Sequence, residues 1–174
     1  NADIKVPTIL SVQKEGYRPF SLTIDEKIAR KPIVVGIEKS NVQDIVISSE
    51  MFHIGDDNFS ENSANSGDFK GKSIGPYFTK SFMIATNALT KQNYLVIGSI
   101  IGIDTLMAKT MRQNSVVRAF SSPPEVFFNG TKIAEIQING DGQRIKLPNN
   151  LLKLGQMNEI TIHTGRNLHQ TAYI

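Results

Sequence analysis

Apolar and polar side chains alternate with period two along most of the chain. In residues 20–24 (FSLTI) the apolar side chains share one parity and the hydroxyl side chains the other, and residues 77–88 and 158–164 repeat the pattern. Such alternation is typical of β-strands that bury one face and expose the other. The pattern therefore predicts a largely β protein whose strands are half-buried.

Two segments depart from this alternation because both of their parities are apolar. They are residues 33–37 (IVVGI) and residues 94–103 (YLVIGSIIGI). Strands of this composition are usually covered on both faces. We therefore predict that each segment is a central strand, or else a strand that faces a partner molecule.

Glycine, asparagine, proline and aspartate interrupt the apolar runs at short intervals. The dipeptide at 129–130 is Asn-Gly, a strong hairpin signal because both central residues of a type I′ turn have positive φ angles. The sequence Asn-Gly-Asp-Gly at 139–142 predicts a further reversal.

One helical turn is expected within residues 147–159. Pro148 suits a first helical position and Gly155 a stop. Elsewhere, many short strands separated by turn signals favour an all-β fold. We predict an antiparallel β-sandwich of jelly-roll type, formed by residues 1–174 as a single domain, with at most one or two short helical turns.

The stretch from Arg118 to Thr164 carries an ordered set of features. The Asn-Gly turn at 129–130 comes first, a Leu-Pro step follows at 147–148, and the segment NEITI closes it at 158–162. This order resembles the C-terminal half of galactose-binding-like jelly-roll domains, which include many carbohydrate-binding modules. The resemblance implies a β-sandwich that binds glycans at its loops and often holds a structural calcium ion.

Aromatic platforms for a sugar are scarce in this chain, which has no tryptophan and four tyrosines. A pyranose ring packs its C–H face on an aromatic face, so an exposed tyrosine is the minimal platform. We predict Tyr77 as that platform. The further predicted ligand-binding residues flank strand ends on the side opposite the hairpin turn, and they are Arg112, Asn114 and Arg118.

Residues 55–76 form a polar segment rich in Gly, Ser, Asn and Asp, which predicts a long surface loop. Its beginning concentrates carboxylate and amide oxygens, the hard ligands that Ca²⁺ prefers. The spacing is not that of an EF-hand, and a solvated loop is the alternative interpretation. The predicted calcium ligands are Asp56, Asp57, Asn58 and Glu61.

Composition narrows the possible functions. The chain has 174 residues, no cysteine and a formal net charge of +3, so it offers no disulfide or thiolate site. Its basic residues are scattered without interleaved aromatic residues, which argues against a nucleic-acid interface. No apolar run approaches the ~18 residues of a membrane-spanning helix. The sequence also lacks the common catalytic motifs of nucleotide-binding proteins, serine hydrolases and zinc proteases.

These features favour a non-catalytic binding module, secreted or displayed on a cell surface, that binds a glycan and holds a structural calcium. The alternative is a self-assembling surface or fibre subunit, a homo-oligomer joined by β-strand exchange. In that case the terminal segments, residues 1–10 and 169–174, would pair with another copy, because unpaired sheet edges recruit strands. An accessory domain of a hydrolase stays open as a third possibility, although no residue requires it.

Overall fold

The fold is built from short strands joined by loops, with little helix. The computed structural model describes residues 7–56, 71–88, 91–103, 105–113, 122–165 and 172–174. The strands are β1 (Thr8–Val12), β2 (Phe20–Ile24), β3 (His53–Ile54), β4 (Tyr77–Met83), β5 (Tyr94–Ile100), β6 (Glu125–Phe128), β7 (Thr131–Glu135), β8 (Gly140–Lys146), β9 (Met157–His163) and β10 (Ala172–Tyr173). The helical elements are α1 (Glu26–Ala29), α2 (Leu106–Thr110) and a 3₁₀ turn at Asn149–Leu151.

Every strand pair among the described residues is antiparallel. A four-stranded sheet has the order β4-β9-β6-β7, and three two-stranded sheets pair β1 with β2, β3 with β10 and β5 with β8. The prediction of an all-β antiparallel sandwich is confirmed. Its jelly-roll strand order stays a prediction.

One apolar cluster joins the four-stranded sheet to the β5–β8 pair. Strand β5 contributes Leu95 and Ile97, β6 contributes Val126 and Phe128, and the alternate residues of β9 contribute its two isoleucines. Burial of each such side chain stabilises the fold by about 1.5–3 kcal/mol. The period of two predicted for residues 158–164 therefore corresponds to a buried face and an outer face of β9.

The Asn-Gly hairpin joins β6 to β7 as predicted, with φ of 49° at Asn129 and 79° at Gly130. The side chain of Asn129 also has a structural role. Its Nδ2 donates to the carbonyl oxygen of Leu151 at 2.7 Å, and its Oδ1 accepts from the backbone N–H of Glu159 at 2.9 Å. The first bond joins the hairpin to the 3₁₀ turn, which was expected within residues 147–159, and the second joins it to β9.

The prediction of a central strand at residues 33–37 is wrong. The segment forms no helix or strand, and Val34 is 94% exposed. Strand β5 forms at the second apolar segment, but its burial alternates and Val96 is 58% exposed, so it is covered on one face rather than two. The prediction that both segments are covered on two faces failed because apolar side chains at successive positions can also lie at an exposed surface.

The reversal predicted at residues 139–142 is also wrong. Gly140 and Asp141 lie inside β8, where they pair with Ile100 and Ser99 of β5. Residues 136–139 carry the chain from β7 in one sheet to β8 in another. Asn139 serves this crossing rather than a tight turn, because its Oδ1 accepts from the backbone N–H of Ile103 at 2.8 Å.

Candidate binding face

The outer face of the four-stranded sheet, the side turned away from the apolar core, carries a line of aromatic, polar and charged side chains. Successive side chains of a β-strand point to opposite faces of the sheet. Because β9 buries Ile160 and Ile162, its Thr161 and His163 side chains point to the outer face. The registers of β4, β6 and β7 add further side chains to the same face. The outer-face residues are Tyr77, Thr79, Glu125, Phe127, Lys132, Glu135, Thr161 and His163.

The first row across this face runs over all four strands. Tyr77 lies opposite His163, His163 opposite Glu125, and Glu125 opposite Glu135. Neighbouring strands lie about 4.8 Å apart, so the row is about 14 Å long. This length suits an extended ligand better than a single small ring.

The Tyr77 ring forms the aromatic end of the row. It is 56% exposed and stacks on the imidazole of His163, with ring centres 6.0 Å apart and an angle of 25° between the planes. The backbone N–H of Gly165 donates to Nδ1 of His163 at 3.3 Å, and Nε2 is the other polar atom of the ring. The pair thus combines an exposed aromatic face with a polar edge.

Charged residues form the other end of the row. Lys132 Nζ donates to Glu125 at 2.5 Å and to Glu135 at 2.6 Å, and only 18% of the Glu125 side chain is exposed. The hydrogen bond to Glu125, followed by the hydrogen bond to Glu135, holds the pKa of Lys132 above its ordinary value. The two carboxylates and the ammonium group therefore form a fixed network of acceptors and donors.

A second row lies beside the first, and a shallow depression extends over both rows. Thr79 and Thr161 share a hydrogen bond of 2.9 Å between their hydroxyl oxygens. The depression has a volume of about 360 Å³ and is lined by Glu125, Phe127, Gly130, Thr161 and His163. Ligand sites typically begin at about 300 Å³ and combine apolar walls with a few polar groups. The depression reaches this volume but is open and shallow, so a ligand there would lie against the sheet rather than be enclosed.

The predicted ligand-binding residues do not come together in the described structure. Tyr77 lies on the outer face, whereas Arg112 follows α2 in a left-handed conformation with φ of 58°. The neighbouring Gln113 is bonded to Asn139, which ties this end of α2 to the loop before β8. Asn114 and Arg118 lie outside the described residues.

The predicted calcium ligands lie largely outside the described residues as well. Asp56 is described and is half-buried just after β3, whereas Asp57, Asn58 and Glu61 are not described. Within the described part of the chain, no group of three or more His, Asp or Glu side chains is arranged to hold a metal ion. In the same part, none of the helices has the length and apolarity needed to cross a membrane.

Sequence reasoning missed most of the outer face. The period of two in residues 158–164 places His163 on the outer face of β9, but it does not identify Glu125, Phe127 and Lys132 as neighbours of His163. Part of this arrangement could be predicted from the sequence, because the Asn-Gly turn determines which residues of β6 and β7 lie on the same face. The pairing of β9 with both β4 and β6 had no such local signal.

Comparison with protein-family models, with curated proteins and with solved structures finds no match to this chain.

Proposed function

We propose that this chain is a non-catalytic binding module, secreted or displayed on a cell surface, that binds a glycan on its outer face. The observation that carries the proposal is the exposed Tyr77 ring in line with the network of Glu125 and Lys132 on a paired sheet. An aromatic face accepts the C–H face of a sugar ring, and charged or hydroxyl groups bond its hydroxyls. Residues on a sheet hold such groups in fixed positions.

The charged groups of the face suit the hydroxyl groups of a sugar. Glu125 and Glu135 both accept from Lys132 Nζ, so the face presents carboxylate acceptors beside an ammonium donor. The sequence resemblance of residues 118–164 to galactose-binding-like domains agrees with a binding role.

Calcium forms part of the same proposal. Residues 56–61, which follow β3 in the sequence, carry the hard oxygen ligands that calcium prefers, and a bound ion would order that segment. Strand exchange through the chain ends has less support, because Thr8–Val12 pairs with β2 and Ala172–Tyr173 pairs with β3 within one molecule.

A glycan array followed by calorimetry tests this function. The Tyr77→Ala variant is expected to bind the selected glycan roughly tenfold more weakly, a loss of about 1.4 kcal/mol, because the aromatic contact is removed. Tyr77→Phe keeps the ring and is expected to retain most of the affinity. Tyr94→Ala is the matched control, since Tyr94 is 43% exposed on the other sheet.

The array is run with calcium and again with EDTA, and a calcium requirement would appear as binding that EDTA abolishes and added calcium restores. Equal signals for all sugars, or equal losses in the Tyr77→Ala and Tyr94→Ala variants, would reject the outer face as a glycan site.

A further inference from the structure

Residues 33–37 (IVVGI) are an apolar segment whose backbone groups pair with no other part of the described structure. In the described structure, neither the N–H nor the C=O groups of these residues take part in a hydrogen bond within the chain. Four of the five residues are β-branched, a composition that favours strands. The composition thus favours a strand here, and none of the described residues pairs with it.

One face of the segment is uncovered. Exposed and half-buried residues alternate from Val34 to Ile37, and Ile33 is exposed as well. A Cβ atom placed on Gly36 would meet no atom within 4 Å, so no described residue covers the face of Gly36.

Contacts at both ends hold the segment in place. On its N-terminal side, Lys31 N donates to the carbonyl oxygen of Ile28 at 3.1 Å. On its C-terminal side, Arg18 N donates to the carbonyl oxygen of Glu38 at 2.8 Å, and the Arg18 guanidinium bonds Asp44 at 2.6 Å. A segment fixed at its ends loses less conformational entropy when it pairs.

We propose that residues 33–37 form a homodimer interface by pairing antiparallel with the same residues of a second copy. A second copy fits because it presents the same β-branched strand with the same unpaired backbone groups, which makes a two-fold contact self-complementary. With Val34 opposite Val34, the antiparallel arrangement also directs Glu38 at the end of one segment towards Arg30 before the start of the other. This contact is separate from the outer face and from the chain ends.

The register centred on Val34 is the one we propose, because it keeps Pro32 out of the hydrogen-bonded positions. It places Val34 opposite Val34 of the second copy, and Ile33 opposite Val35. Residues 32, 34 and 36 then occupy non-hydrogen-bonded positions, which suits Pro32 because it has no N–H to donate. A contact of this length is small, so the dimer is expected to be weak and dependent on concentration.

Sedimentation velocity over a concentration series up to about 1 mM tests the dimer. The wild-type chain is expected to shift from monomer to dimer, and Val34→Lys is expected to weaken the association at least tenfold through like charges brought together at the two-fold axis. Val42→Lys is the matched control: Val42 is also fully exposed, but it lies in a turn closed by the bond from Asp44 N to the Asn41 carbonyl oxygen. Thermal unfolding of both variants is expected to match the wild-type chain.

A cysteine trap tests the register, because the natural chain contains no cysteine. Opposite residues at a non-hydrogen-bonded position have Cα atoms about 4.5 Å apart, within the range that a disulfide spans. Val34→Cys is expected to form a disulfide-linked dimer under mild oxidation, and Val42→Cys to do so far more slowly. A chain that stays monomeric throughout the series, a dimer unaffected by Val34→Lys, or equal cross-linking of the two cysteine variants would overturn the proposal.

Discussion

At the residue scale, Asn158 shows how a buried polar side chain organises its surroundings. It is 1% exposed, and its amide makes four hydrogen bonds. Its Oδ1 accepts from Asn129 Nδ2 and Lys153 N, both at 2.9 Å, while its Nδ2 donates to the carbonyl oxygens of Lys153 at 2.8 Å and Gln156 at 3.0 Å. This saturates the bonding capacity of the amide, so the side chain links the hairpin to the loop before β9.

Asn158→Asp is expected to lower the free energy of unfolding by about 2–4 kcal/mol. The substitution keeps the shape but replaces two donated hydrogen bonds with contacts between a buried carboxylate and two carbonyl oxygens. Urea denaturation at neutral pH measures the loss, and Asn150→Asp on the exposed 3₁₀ turn is the control. Stability of the variant relative to wild type should partly recover at acidic pH, because the protonated carboxyl regains one donor. A similar loss in both variants would mean that charge alone, and not the amide network, is responsible.

At the scale of elements, β2 packs closely against β5 because the residues at their contact are small. Ser99 Oγ donates to Ser21 Oγ at 2.9 Å, and a Cβ atom placed on Gly98 would lie 2.4 Å from Ser21 Oγ. Close by, the Asp141 carboxylate accepts from the backbone N–H of Thr23 at 3.0 Å and from its hydroxyl at 2.7 Å. The β1–β2 hairpin is thus attached to the β5–β8 pair by close approach and polar contacts.

Gly98→Val is expected to destabilise the fold by about 1–3 kcal/mol, since the larger side chain pushes β2 away from β5. Ser21→Gly in the same background should restore part of that loss, and a double-mutant cycle in urea isolates the coupling. Gly36→Val, measured at low concentration, is the control because open space surrounds Gly36. If Ser21→Gly restores none of the lost stability, the destabilisation by Gly98→Val arises within β5 and not from its contact with β2.

Which elements could be predicted depended on how local their signals are. Strands β2, β4 and β9 formed where period two indicated, and the Asn-Gly turn placed β6 beside β7. Helices α1 and α2 were missed because each is about one turn long, too short to show a helical period. Each depends on a cap instead: Asp25 accepts from Ile28 N, and Thr105 from Ala108 N.

At the scale of the whole molecule, the candidate site was less predictable than the fold. The outer face combines residues of β4, β6, β7 and β9, and the order of those strands depends on contacts between distant parts of the chain. Tyr77 could be identified from sequence as an aromatic residue beside turn residues. Its place beside His163 could not, because two strands with equivalent alternation pair equally well in several registers.

The distribution of hydrogen bonds predicts a wide range of local stability. Strand β9 lies between β4 and β6 and buries Ile160 and Ile162, so its amides should exchange only through global unfolding. Residues 33–37 bury little and make no backbone hydrogen bonds within the described structure, so in dilute solution their amides should exchange almost as fast as in an unfolded peptide. Hydrogen exchange read by mass spectrometry measures both segments in one experiment. Raising the protein concentration should then slow exchange in residues 33–37 while leaving β9 unchanged, because pairing with a second copy would protect only residues 33–37. Strong protection of residues 33–37 in dilute solution would instead mean that their backbone is already paired within one molecule.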